Sequence, residues 1–508
     1  MSLKQAYQER MGVLWFGPLP QKSVLQQFTD RNLLIDLCAA DVSDVSIESF
    51  RHARGAVLQY DPTKPGALRS RLRALLHPAF DHGLLLIVRA DSDSSVPRIE
   101  KILRDERVEK RVQFRAPRPE CLVAEDLARY AIGPCINPGL DIESRTQLDD
   151  DARLLLARSF ADCERIIVDA LPGGRSAQTF SVHAVLSERG GAPLPFFVKV
   201  DRCAKIEREM RNYEWYAAGF VPFNLRPNLA EGRSMLGFRK GILVGSFVER
   251  SETLRDVVRR GTGERAIYSL FEHALRGWRL QAYEWPEYTR CAKEPVLSVT
   301  HSLEPRPKRP VFAPDWISDE IQQISGKLGA RDPRCLLKLV EGLPPLQHRR
   351  GPIHGDLHAR NVQVHGSDAI LIDFNAVQDG PLVADPASLE VSIVFDEFLE
   401  DSETAPASEE RRRAWSGLVD RLYDGQHLDL PPPPVPASSS GAWMWSCVRQ
   451  IRFYALASEN ASLAYRIALA VQMLRKAGHK PDDAEDGFRR AYACVIADRL
   501  LHQVMMMS

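Results

Sequence analysis

The sequence predicts a doubly wound α/β domain over residues 1–135 and, beyond a linker at 136–150, an α+β region over 151–508. Three observations predict this. Short apolar runs alternate with helical patterns in the first 135 residues. Strand signals gather between 151 and 250, and long helical periodicities between 251 and 508. A chain of 508 residues is too long for one core, so two or three domains are expected.

In the first part the apolar runs are Gly12–Phe16, Leu33–Leu37, Gly55–Leu58, Leu84–Val88 and Val112–Phe114. Helical patterns lie between some of them, at Leu68–Leu76 and Ile99–Val108. Strand and helix alternating at this period imply a parallel sheet covered on both faces. Pro138-Gly139 and Asp149-Asp150 mark the linker. Beyond it, Thr179–Val185 largely alternates, and Phe196-Phe197-Val198-Lys199-Val200 is a strand with one charged residue near its end. Taken alone, that lysine also suits an edge-strand gatekeeper. Ala204–Ala218 reads as a helix with an apolar stripe of Ile206, Met210, Tyr213 and Ala217. Glu209 borders that stripe and can lean toward Lys199, whereas Glu207 is placed less favourably. Gly241–Glu249 reads as a buried strand. Ile267–Tyr283 is a helix apolar on one face, and Trp285–Pro314 is irregular, either the wall of a pocket or a surface loop. Helices at Trp443–Leu456, Ser462–Lys476 and Ala484–Leu501 follow a Pro- and Ser-rich connector.

The most specific signal is His354-Gly355-Asp356-Leu357-His358-Ala359-Arg360-Asn361, followed by Leu371-Ile372-Asp373-Phe374. Val362–Val364 and Ala369–Ile372 alternate on either side of the turn-rich His365–Asp368, so a hairpin brings Asn361 beside Asp373. Two oxygen donors then converge on one side of a hard cation. Asp356 can take a proton from an attacking hydroxyl, while Asn361 and Asp373 can hold Mg2+ against nucleotide phosphates. His354 reads as a structural anchor of the loop. Asp385 reads as the cap of a helix starting near Pro386 and as a tie to the same loop. His358 either orients Asp356 or packs. Asn375 stands where a related Asp-Phe-Gly motif carries glycine, and Asn tolerates left-handed backbone.

This loop, with Ile-Asp-Phe after it, resembles the aminoglycoside phosphotransferase and choline kinase family, over roughly residues 155–400. The resemblance implies a two-lobed protein-kinase-like fold, with a small lobe at 151–250 and a helical large lobe at 251–508. It also implies ATP, Mg2+ and transfer of the terminal phosphate to a hydroxyl. It places Lys199 on the inner phosphates with Glu209 as its partner (Glu207 second). Gly173, Gly174 and Ser176 fall in a phosphate-covering loop, and Phe247 and Val248 at the adenine hinge. Gly380-Pro381-Leu382 and Asp385-Pro386-Ala387 resemble more narrowly the ternary-complex-associated branch of kinase-like domains. Residues 1–135 resemble a response-regulator receiver, with Asp61-Pro62-Thr63-Lys64-Pro65-Gly66 at its phospho-acceptor turn. The first strand, however, ends in Phe16-Gly17-Pro18 rather than acidic ligands, and the fourth in Arg89-Ala90 rather than Ser or Thr. A degenerate receiver that docks or senses is the reading, with phosphorylation of Asp61 its alternative.

Composition narrows the classes. Charged residues are 26% with formal net charge +0, which argues against a nucleic-acid surface. Nine scattered cysteines form no Cys-x-x-Cys pair, so reduced structural thiols and no zinc site are expected. No apolar run approaches a membrane span, and the first residues lack the apolar core of a signal peptide, so a cytoplasmic protein is expected. Only a short segment separates Asp373 from Asp385, too little for a peptide-substrate platform, which favours a small-molecule hydroxyl acceptor over a protein. Two functions compete: an ATP-dependent phosphotransferase controlled by its receiver-like domain, or a nucleotide-binding signalling or conflict-system module with little turnover that recruits a protein partner through residues 1–135.

Overall fold

The alternation in the first 135 residues becomes a five-stranded parallel sheet in the order β2-β1-β3-β4-β5. In chain order the elements are β1 (Gly12–Phe16), α1 (Lys22–Thr29), β2 (Leu34–Leu37), α2 (Ile47–His52), β3 (Ala53–Gln59), α3 (Pro65–Asp81), β4 (Leu85–Arg89), α4 (Val96–Asp105), β5 (Gln113–Arg115) and α5 (Glu120–Arg129). They belong to a computed structural model that describes residues 10–18, 22–37, 42, 45–90, 92–108, 111–115, 120–130, 133–171, 177–187, 191–230, 232–246, 251–284, 292–294, 317–343, 346–396, 408–436, 441–457 and 461–507. The chain forms two compact units, Met1–Met210 with Asn228–Phe247, and Arg211–Pro227 with Val248–Ser508.

In the first unit the five-stranded sheet is buried on both faces, which its near-continuous apolar strands require. Leu14 and Phe16 enter one core with Leu58, Leu86 and Val88. Val13 and Trp15 enter the other with Val57, Leu85 and Ile87. The strand order is that of flavodoxin-like doubly wound sheets.

A second sheet follows, in the order β10-β11-β9-β8-β7-β6. Its elements are β6 (Asp141–Ser144), α6 (Asp150–Ser159), β7 (Cys163–Ala170), β8 (Gln178–Leu186), β9 (Leu194–Arg202), α7 (Cys203–Asn212), β10 (Met235–Leu236) and β11 (Lys240–Ser246). The stretch expected as a linker differs from that expectation: β6 pairs in parallel with β7 at the sheet edge. Within β6 Ile142 packs against the core between Asp141 and Glu143, so the strand character is hidden by edge charges.

The two sheets of this unit meet along a polar seam. Arg158 of α6 is buried and donates from Nη1 to the Asp81 carbonyl (2.5 Å) and from Nε to the Pro134 carbonyl (3.2 Å). Arg10, also buried, donates to the carbonyl of His82 and to Cys135 Sγ. The turn between β10 and β11 is held by Phe238 N–H donating to Asp81 Oδ1 (2.9 Å), and by Arg111 donating to the Gly237 (2.7 Å) and Phe238 (3.0 Å) carbonyls. Phe80 and Phe238 stack beside it, with the Arg111 guanidinium over Phe80.

The second unit contains β12 (Glu252–Thr253), α8 (Leu254–Arg259), α9 (Gly263–Ser269), α10 (Arg276–Glu284), β13 (Ala292–Glu294), α11 (Asp319–Lys327), α12 (Pro333–Glu341), β14 (Leu346–His348), β15 (Arg350–Ile353), β16 (Val362–His365), β17 (Asp368–Leu371), β18 (Gln378–Pro381), α13 (Ala384–Phe395), α14 (Ser408–Leu422), α15 (Ala442–Ala455), α16 (Ala461–Ala477) and α17 (Ala484–Met507). Its core is helical. At its centre Arg452 of α15 grips both oxygens of Glu390 of α13 (2.7 and 3.1 Å), and Tyr465 of α16 donates to the same carboxylate (2.7 Å). All three side chains are fully buried. A fork-to-fork pair with its lone pairs satisfied fixes the register of three helices. Among the described residues no helix is long and apolar enough to cross a membrane.

Candidate active site

In the first unit, β9 alternates. Val198 and Val200 turn into the core, so Lys199 points to the other face of the sheet. Lys199 Nζ lies 2.7 Å from Glu209 Oε2, and both residues are buried, at 6% and 2% exposure. Glu209 sits on α7, one turn after the buried Ile206, whereas Glu207 is exposed. Helical spacing therefore selects Glu209 of the two candidates.

In the second unit, the loop after β15 carries Asp356. Its first glycine is obligatory: Gly355 has φ +73°, and a Cβ there would lie 2.4 Å from the Ala376 carbonyl oxygen. His354 donates through Nε2 to the Ile372 carbonyl (2.9 Å), which sets its tautomer. The hairpin expected beyond the loop is present: β16 pairs with β17, Val362 facing Leu371. Ile372 N–H donates to the Asn361 carbonyl (3.1 Å), so the hairpin places Asn361 alongside the residue before Asp373. Asn361 donates its side-chain amide to the Asp356 carbonyl (3.0 Å). The left-handed residue of this segment is Asp373, φ +64°, and not Asn375. Its carboxylate accepts from Asn375 N–H (3.4 Å).

Asp385 is not the helix cap expected of it. The cap position of α13 is Val383, and Asp385 lies within the first turn. Its buried carboxylate accepts from the backbone N–H groups of His354 (2.6 Å) and Gly355 (3.0 Å). Burial pushes the Asp385 pKa up, against the pull of His354 and these two N–H groups. Ser392, two turns along the same helix face, accepts from Ala359 N–H (3.0 Å). One buried helix face thus holds both ends of the loop.

Three side chains at this site were not anticipated. Ser392 is one. Asn212 donates to the carbonyls of Phe374 (2.9 Å) and Asn375 (3.1 Å), next to Asp373. Arg475, on α16, places Nη2 3.0 Å from Asp356 Oδ1. The i, i+7 spacing of Asp385 and Ser392 is a signal that sequence reasoning had available; nothing local marks Asn212 or Arg475. His358 Nε2 stands 3.9 Å from Asp356 Oδ2, and burial lowers its pKa.

Gly173, Gly174, Ser176, Phe247 and Val248 lie outside the described residues, as does most of 285–316. Asp61 lies two residues past the end of β3. Its exposed carboxylate is held by Thr63 N–H (2.9 Å) and Thr63 Oγ1–H (2.6 Å), which lower its pKa.

Residues 298–495 match the family model described as ternary complex associated domain 9. No curated protein matches the chain. Among solved structures, the chain is similar to aminoglycoside phosphotransferase APH(4)-Ia in ternary complex with ADP and hygromycin B, at 12% identity and TM-score 0.35, covering 66% of this chain and 93% of that one. It is also similar to choline kinase from Cryptosporidium parvum, at 13% identity and TM-score 0.32, covering 67% and 89%. A glucosamine kinase in complex with glucosamine, ADP and inorganic phosphate aligns at 12% identity and TM-score 0.30, covering 72% and 87%.

Proposed function

We propose that this chain is an ATP- and Mg2+-dependent phosphotransferase of kinase-like fold that moves the terminal phosphate of ATP to a hydroxyl of a small molecule. The observation that carries the reading is the tied loop and hairpin, in which Asp385 and Ser392 hold the loop of Asp356 and strand pairing sets Asn361 alongside Ile372. Asp356 is the general base that takes the acceptor's proton. Asn361 and Asp373 are the metal ligands. The donor set fits: the Asn361 amide nitrogen is engaged with the Asp356 carbonyl, so its oxygen is the atom left for a cation, and a carboxylate is the second hard donor. Mg2+ bound there neutralises charge on the phosphates. Lys199, oriented by Glu209, binds the inner phosphates, with Gly173, Gly174 and Ser176 covering them and Phe247 and Val248 flanking the adenine.

In this reading residues 151–250, with the edge strand Asp141–Ser144, are the small lobe, 251–508 the large lobe, and 1–135 a receiver-like domain. That domain regulates the chain in this reading, and the buried Arg158–Asp81 seam is the contact through which it would act. Asp61 serves there as a turn former: its carboxylate is already engaged by Thr63, and neighbouring Phe16-Gly17-Pro18 supplies no acidic ligand.

The test is transfer from labelled ATP with Mg2+ to hydroxylated metabolites of a cell extract. Asp356→Ala is expected to slow transfer by roughly a hundredfold to ten-thousandfold with nucleotide affinity nearly intact, the range for losing a general base. Unchanged turnover removes that role from Asp356. The second reading, a nucleotide-binding module with little turnover, is favoured by the Arg475 guanidinium lying on Asp356. A protein captured together with unreacted ATP, and no labelled acceptor, supports it.

A further inference from the structure

The Asp356 carboxylate does not face open solvent alone. Arg475 Nη2 lies 3.0 Å from Oδ1, the two side chains being 27% and 39% exposed. This is one nitrogen on one oxygen, although a guanidinium is shaped to give two parallel N–H bonds to an oxyanion. Among the described residues Arg475 meets no other acceptor. The fork is therefore half used, and the other donors of a fixed, permanently charged group are available at the base.

The surroundings are mixed in charge, with Asp356, Asp396 and Asp373 all near His358. Lys476, the next residue on α16, is ion-paired with Asp396 at the end of α13. Arg255 is half-buried, and its pKa is held down first by burial and then by the nearby charges of Arg360 and Arg259. His358 feels both Asp356 and Asp396, which places these groups around one side of the catalytic loop. At hydrogen-bond distance from Asp356, however, the described partner is the Arg475 guanidinium, so an anion beside the reacting hydroxyl meets a ready donor there.

We infer that Arg475 is the specificity-determining residue of the acceptor site, and that the acceptor is a small hydroxyl compound carrying an oxyanion, a phosphate or a carboxylate, next to the hydroxyl that reacts. The inference rests on the reading of Asp356 as the base. Without acceptor, Arg475 rests on Asp356. The acceptor's oxyanion takes both N–H groups of the fork, the carboxylate is released, and the hydroxyl finds its base free. The exchange is cheap on the enzyme's side, because a half-exposed ion pair holds its partner by no more than about fivefold. It is favourable on the acceptor's side, because two charge-assisted bonds replace one. A neutral or cationic acceptor does not move Arg475.

The test is calorimetric titration of the full chain with inorganic phosphate and, in parallel, with malonate, using the parent, Asp356→Asn, Arg475→Gln and Arg475→Lys, all in the presence of saturating ADP and Mg2+. Arg475→Gln is expected to weaken one or both anions by about tenfold to a hundredfold, the value of bonds to a charged donor. Asp356→Asn is expected to tighten the same anion by up to about fivefold, since the competing carboxylate is gone. Arg475→Lys falls between, because it keeps charge and loses the fork; it keeps the test valid if Arg475→Gln fails to fold. The anion whose affinity depends on Arg475 is the group the acceptor carries. Equal affinities in all four proteins overturn the inference. These titrations need no turnover, so a bound anion with an inactive enzyme counts against Asp356 as a base and not against Arg475 as its rival.

Discussion

Lys199 and Glu209 are buried as a pair, and their stability and their function can be separated by mutation. At 6% and 2% exposure, with 2.7 Å between Nζ and Oε2, each charge has the other as a direct partner. Breaking a buried pair by removing one partner costs about 3–5 kcal/mol. Lys199→Met and Glu209→Leu are each expected to destabilise β9 and α7 by that amount. Joined in one protein they are expected to cost about 1 kcal/mol or less, because a buried ion pair replaced by apolar side chains of similar volume is often neutral. The coupling is then about 5 kcal/mol or more, read by hydrogen exchange of the β9 and β11 amides. Each single variant should exchange about a hundredfold faster than the parent, and the double variant close to it. Binding of ATP with Mg2+ should follow a different pattern, falling by at least about tenfold in all three variants, since the phosphate-binding lysine is removed in two of them and loses its orienting partner in the third. Nucleotide affinity restored together with exchange protection in the double variant refutes the phosphate-binding role. Single variants that exchange like the parent refute the energetics.

Three further outcomes are expected. Asp373→Ala should abolish the part of the thermal shift with ATP that depends on Mg2+; equal shifts in mutant and parent remove Asp373 from the metal site. Asp385→Ala leaves the N–H groups of His354 and Gly355 without their acceptor, at about 1–3 kcal/mol each, so amide exchange across 354–361 should accelerate by at least about thirtyfold, and unchanged exchange refutes the tie. His82 is buried with its pKa lowered to about 4, by desolvation first and then by the charges of Arg158, Arg10 and Arg51. Below the ordinary value of 6.5 the unfolded chain binds a proton that the folded chain refuses until about 4, so stability is fully present above that range and is lost as pH falls through it. The loss approaches about 3 kcal/mol. Unfolding at pH 7.5 and 4.5 should show it in the parent and lack it in His82→Gln; equal pH dependence in the two refutes the assignment.

Much of the fold was legible because its signals are local. Apolar runs at Gly12–Phe16, Leu84–Val88 and Val112–Phe114 became β1, β4 and β5 within a residue or two at each end. Helical spacing singled out Glu209 over Glu207, since only the former lies on the buried face. The Asn361–Asp373 hairpin followed from two alternating runs around a turn. The failures have the opposite character. The strand at Asp141–Ser144 carries two acidic residues in four, which reads as a linker until β7 is seen to pair with it. Asp385 looked like a cap because Pro386 follows it, yet the helix starts earlier; only its tie to the loop thirty residues away, also expected, is present. Arg475 and Asn212 are more than a hundred positions from the groups they meet, and polar residues on helices are ordinarily solvated.

The contrast inside the loop has a chemical meaning. The loop backbone is held largely by buried groups: Asp385 on two N–H groups, Ser392 on a third, the Asn361 amide on the Asp356 carbonyl, and a Gly355 that admits no side chain. Among the described residues, the Asp356 side chain, 39% exposed, has the Arg475 pair at hydrogen-bond distance and a distant His358. A general base must have a fixed position and an exchangeable partner, because its hydrogen bond has to pass to the acceptor hydroxyl. A rigid backbone under a half-exposed carboxylate meets both demands. The same geometry explains why an arginine from a helix more than a hundred residues further on can govern access without being needed for the fold: it holds the carboxylate by a pair that is weak in water and easily outbid by an oxyanion.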